Sequence, residues 1–148
     1  MLTETLRSLF KRDLTRLKVE IESYRSESNL WIIEKGIANS AGNLCLHLIG
    51  NLNTFIGANL GQTGYIRNRE LEFSLKDIPK QELIQKIDET IQVIDQTLSR
   101  LTQEQLEAEY PFLVLETMTS TQFLLVHLGT HLTYHRGQIN YHRRLLDI

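Results

Sequence analysis

The sequence predicts an all-α four-helix bundle. Three observations carry that prediction. Apolar residues recur at intervals of three and four through four long segments. The only two prolines, Pro79 and Pro111, fall between those segments. The last segment, residues 120–146, is one long amphipathic stretch that also holds four of the five histidines.

The first helix is expected from about Leu2 to Tyr24, on a stripe of Leu2, Leu6, Leu9, Phe10, Leu17, Ile21 and Tyr24. Its other face mixes Arg7, Lys11, Arg12 and Arg16 with Glu4, Asp13 and Glu20, which reads as a solvated helix face. Residues 26–40 form a connection in which Trp31 is expected to seal an edge of the core. The second helix runs from about Ala41 to Asn59, capped by Ser40, with Leu44, Leu48, Leu52 and Phe55 as its stripe and His47 at the edge. Gly50 and Gly57 share a side, where another helix can approach closely, and Cys45 reads as a core thiol.

Residues 61–79 form a long loop, within which Leu71, Phe73 and Leu75 alternate as in a short strand. Asp77 is the expected cap of a third helix from about Pro79 to Arg100, with Pro79 in its first turn. Leu83, Ile87, Ile91, Ile94, Leu98 and Leu101 make its stripe, and it carries no histidine. In the connection 102–119, Thr102 and Gln105 suggest a capping box for one short turn, and residues 112–116 an extended piece that pairs with 71–75. Ser120 or Thr119 starts the final helix, whose far end carries Arg143 and Arg144 at the negative pole of its dipole.

Composition narrows the function classes. The 148 residues suit one domain, residues 1–148, with 41% hydrophobic and 23% charged residues. A net charge of −2 gives no global attraction to nucleic acid or anionic membrane. The single cysteine precludes an intrachain disulfide, and the N-terminus lacks the apolar core of a signal peptide, so a cytoplasmic location is expected. No apolar run approaches the length of a membrane span.

The histidines are the anomaly. On the final helix, His131, His135 and His142 fall in one narrow sector beside Leu124, Leu128, Ile139 and Leu146, where leucine would be expected. Burying imidazoles costs free energy unless something hydrogen-bonds or coordinates them. His131 and His135, four residues apart, can bind one metal ion, and His47 is the only histidine outside this helix that can complete a triad. His127 is a weaker candidate, a fourth ligand or a group that orients the others. His142 lies about 10 Å beyond His135 along the axis, and a packing role suits it better. Other metal motifs fit worse. Leu132 follows His131, so the His-Glu-x-x-His pattern is absent, and leucines stand three before His127 and His47, so no Glu-x-x-His pair exists.

The string HLGTHLTYHRGQIN resembles the last-helix signature of the DinB-like (YfiT-type) superfamily of metal-dependent enzymes, and SAGNLCLHLIGNL resembles its second-helix histidine motif. The loop YIRNRELEF and the ending INYHRRLL look closest to an uncharacterised branch of that superfamily. The resemblance implies an up-down-down-up bundle with long connections between helices two and three and between three and four, and a homodimer. It implies a divalent ion (zinc, nickel or iron) held by His47, His131 and His135, with thiol transferase or hydrolase chemistry on a small-molecule substrate. A low-molecular-weight thiol is the co-substrate in some relatives.

Two readings stand at this stage. In the first, an enzyme, the ion activates water or a thiol; Gln138 and Asn51 orient the ligands, and Arg67 or Arg69 holds an anionic group. In the second, the ion belongs to a non-catalytic metal-binding stress-response or interaction protein.

Overall fold

The computed structural model describes residues 1–148 and is all-helical, as the periodicity predicts. Six α-helices follow one another: α1 (Leu2–Glu22), α2 (Ala41–Leu52), α3 (Arg69–Ser74), α4 (Lys80–Arg100), α5 (Gln103–Glu107) and α6 (Thr121–Leu146). A 3₁₀ turn spans Glu27–Trp31, and α2 continues as a π-helical turn over Asn53–Ala58. Both α1 and α2 pack against α4 and α6, so the four longest helices share one core.

The stripes predict the core well. From α1, Leu6, Phe10, Leu14, Leu17, Ile21 and Tyr24 are buried, whereas Leu9 points outward. Leu83, Ile87, Ile94 and Leu98 do the same for α4. Every residue of α2 is buried, because neighbours cover it on all sides. The Trp31 ring covers the start of α2, where a Cβ on Gly42 would fall 2.6 Å from it. Cys45 is fully buried and its thiol is pushed up to about 12 by burial, as suits a core thiol.

Caps fix the helix starts. Ser40 Oγ accepts from Asn43 N at 3.2 Å, and Ser120 Oγ accepts from Phe123 N at 3.2 Å. Thr102 and Gln105 form the expected capping box on α5.

Several local expectations are corrected. Residues 71–75 are not a strand: Arg69–Ser74 is helical, with Asn68 Oδ1 accepting from Leu71 N at 3.2 Å. Glu70 and Glu72 in its first turn suit a helix start, and three alternating apolar residues are too few to outweigh that cap. Residues 112–116 pair with nothing; the 109–120 loop is closed by one antiparallel bridge between Glu109 and Ser120. Asp77 does not cap α4. It has φ 59°, Pro79 immediately precedes the helix, and Glu27 Oε2 accepts from Lys80 N at 3.3 Å. Gly50 and Gly57 do not serve one helix contact: Gly50 lies under the Glu72 carboxylate, and Gly57 faces Val93 and Thr63.

α3 sits where it does because of Asn43. This buried side chain donates from Nδ2 to the carbonyls of Glu72 (2.9 Å) and Leu75 (2.8 Å), while its Oδ1 accepts from Ser40 Oγ and Lys76 Nζ, both at 2.7 Å. Asn43, His47 and Gly50 share one face of α2, at i, i+4 and i+7, and α3 lies along that face.

Candidate metal centre

The packing of α2 on α6 brings His47, His131 and His135 together, with their candidate ligand atoms all within 4.8 Å of one another. His131 Nε2 lies 3.3 Å from His47 Nε2 and 3.1 Å from His135 Nε2. His47 is buried and the other two are half-buried.

The outward nitrogens decide which atoms face inward. Glu72 Oε1 lies 3.1 Å from His47 Nδ1, and a carboxylate only accepts, so Nδ1 carries the proton. Arg67 Nη2 also approaches Nδ1, at 3.4 Å, but gives its proton to Glu72 Oε1 at 2.9 Å. Gln138 Oε1 lies 2.7 Å from His135 Nδ1, while the Gln138 amide donates to the Tyr134 hydroxyl at 3.3 Å. His47 and His135 are therefore Nδ1–H tautomers whose Nε2 lone pairs point into the cluster.

Both lone pairs face His131 Nε2, which has one proton at most to offer. The His131 Nδ1 is buried and has no hydrogen-bond partner. Three convergent nitrogens with a single proton among them are an unfavourable arrangement for neutral rings alone and a favourable one for a cation. Burial, and then the neighbouring His135, His47 and His127, lower the His131 pKa to about 4. Burial also lowers that of His47, against the opposing pull of Glu72. Burial thus favours the neutral form of His131 and His47, the form in which an imidazole can bind a metal. Three imidazoles suit zinc, nickel or iron, and such a donor set leaves coordination positions open.

The remaining candidates separate. Gln138 touches His135 and orients it. Asn51 is buried one turn after His47, with its Oδ1 unpaired. His127 is half-buried and lies outside the cluster, where its carbonyl accepts from Thr130 Oγ1 at 2.7 Å. His142 is a satisfied core histidine: Tyr24 Oη lies 2.6 Å from its Nδ1, and its Nε2 donates to the Ile32 carbonyl at 2.9 Å. Arg67 is committed to Glu72 through Nε (2.8 Å) and Nη2. Arg69 lies over the Phe73 ring, 5.5 Å from its centre.

Sequence reasoning missed Asn43 and the link from Glu72 to His47, and it read Gly50 only as a place of close approach. Glu72 holds His47, Gly50 leaves room for the Glu72 carboxylate, and Asn43 pins the helix that delivers it. The only signal was the acid–base string 67–72, which reads equally well as surface ion pairs.

Beside His135, a cavity of about 500 Å³ runs along α6 under residues 34–39. No helix of the chain is long and apolar enough to cross a membrane. A comparison with curated proteins finds no match. Residues 3–147 match the model of the family described as "Protein of unknown function (DUF1572)", and the chain belongs to that family.

Proposed function

We propose that the protein is a metal-dependent enzyme of the DinB-like kind, with an up-down-down-up bundle carrying a divalent ion on His47, His131 and His135. One observation carries the reading: three Nε2 atoms converge while the opposite nitrogens of two rings are tied down by Glu72 and Gln138. An ion held there would supply Lewis acidity, making a water or a small thiol easier to deprotonate.

The chain's own residues do the rest. Glu72 and Gln138 fix the tautomers and ring orientations of His47 and His135. Arg67 offsets the charge of the buried Glu72, which keeps that carboxylate facing His47 rather than acting as a free base. Burial keeps His131 neutral down to about pH 4, so its lone pair stays available. The cavity at His135 gives a small-molecule substrate a place beside the histidines. That cavity favours catalysis over a purely structural ion, which needs no adjoining space.

The test is a thermal melt with and without chelator, joined to metal analysis of protein purified without a nickel column. A vacated site with little change in melting supports an open, catalytic ion. Collapse of the fold on chelation supports a structural one, and protein that binds no divalent metal removes the proposal. The homodimer belongs to the same reading and is read out by sedimentation.

A further inference from the structure

The cavity beside His135 differs in character from the histidine cluster. Its walls are apolar and aromatic: Ile37 and Leu44 from one side, Tyr134, Tyr141 and Leu145 from α6. Tyr134 and Tyr141 stand seven residues apart on one face of α6, and both are largely exposed, as is Leu145, while Ile37 is partly so. Surface apolar groups grouped around a concavity mark a binding site more often than scattered ones do. At the rim, Glu34 and Lys35 place opposite charges side by side, so the opening favours neither anions nor cations. Two polar side chains of the lining are already in use, Gln138 by His135 and Tyr134 and His142 by Tyr24 and Ile32, which leaves Asn39 and the Tyr141 hydroxyl as its uncommitted neutral polar groups. Apart from Glu34 and Lys35, the lining holds no acidic side chain, lysine or arginine to recognise an ionic group.

His135 is the one residue common to the cavity and the cluster, and it lies at the end of the cavity nearest the other two histidines. From these juxtapositions we infer that the substrate is an amphipathic small molecule. Its metal-seeking polar head reaches the histidine cluster, and its uncharged apolar body, aliphatic or aromatic, lies in the cavity between residues 34–39 and the Tyr134–Tyr141 face. This rests on the proposed metal function and adds the substrate class to it. A freely soluble, multiply charged substrate is disfavoured, because its charges would be desolvated against Ile37, Leu44 and Leu145 without partners.

The test uses the metal-loaded full chain and a series of straight-chain hydroxamates, from acetohydroxamate to octanohydroxamate, in isothermal titration calorimetry. The head is constant and only the apolar tail grows. Affinity is expected to rise roughly twofold to fourfold per added methylene until the cavity is filled. The double variant Ile37→Asp with Tyr141→Ser changes two exposed side chains, so the fold should tolerate it. It should flatten the series, so that octanohydroxamate binds no more tightly than acetohydroxamate. Acetohydroxamate binding with no dependence on tail length overturns this inference alone, as does a dependence that survives in the double variant. Absence of acetohydroxamate binding from metal-loaded protein shows an ion with no open position and strikes the catalytic reading, and this inference with it.

Discussion

Glu72 Oε1 lies 3.1 Å from His47 Nδ1, and the carboxylate that makes this contact comes from a short helix inside what the sequence presents as a loop. Arg67 grips the same carboxylate through two N–H groups, at 2.8 and 2.9 Å. The arrangement fixes the proton of His47 on the side away from the other histidines, and several expectations derive from it.

Replacing Glu72 with Gln keeps the shape but removes the charge that holds His47 and Arg67. Metal affinity, measured by competition with a chromophoric chelator, is expected to fall roughly tenfold to a hundredfold, the usual effect of losing such a partner. Affinity equal to wild type would show that His47 needs no help from Glu72.

Gly50→Ala would place a Cβ against the Glu72 carboxylate. The carboxylate must then move, at a cost of about 1–3 kcal/mol in stability, and metal affinity should fall with it. Gly137→Ala is the control: a Cβ there meets nothing within 4 Å, and the better helix propensity of alanine should stabilise by about 0.5–1 kcal/mol. Urea unfolding of both variants reads the contrast, and two equally tolerated substitutions would contradict the seating of Glu72 over Gly50.

His131→Ala and His47→Ala should each abolish most metal binding, whereas His127→Ala, outside the cluster, should change it little. Metal content after dialysis against a weak chelator measures the difference. Equal losses in the His127 and His131 variants would bring His127 into the ligand set.

In the metal-free protein, the lowered pKa of His131 makes stability depend on pH. Its folded value, about 4, lies below its unfolded value of about 6.5. Between those limits the unfolded chain binds more protons, so stability is greatest above the window and is lost as pH falls through it. The loss from this group is on the order of 2 kcal/mol after allowance for solvent screening. His47, lowered for the same reason, adds to it in the same direction. Urea midpoints at about pH 7 and about pH 5 should therefore differ more in wild type than in His131→Gln. An identical pH response in the two would show that His131 is not held neutral by burial.

Much of the architecture was legible from residue spacing. The stripes on α1 and α4, the Ser40 and Ser120 caps and the Thr102–Gln105 box are local features, and each is present. Leu9 fits the period yet points outward, and Leu14, which the expected stripe does not include, takes a place in the core. The strand expected at 71–75 failed because three alternating residues carry less information than one capping asparagine, Asn68.

The sequence by itself determined the four long helices and named the three histidines, because a helical period and an i,i+4 pair are set by backbone geometry within a few residues. Only the tertiary structure decided that Nε2 of His47 meets Nε2 of His131, 84 residues away, and that Glu72 and Gln138 hold the rings from behind. It also decided that a cavity opens beside His135. These depend on how α2, α3 and α6 pack, and on the Asn43 clamp and the vacancy over Gly50 that admit Glu72. Contacts of that range leave no period in the sequence, since each partner satisfies its local pattern whether or not the other is near.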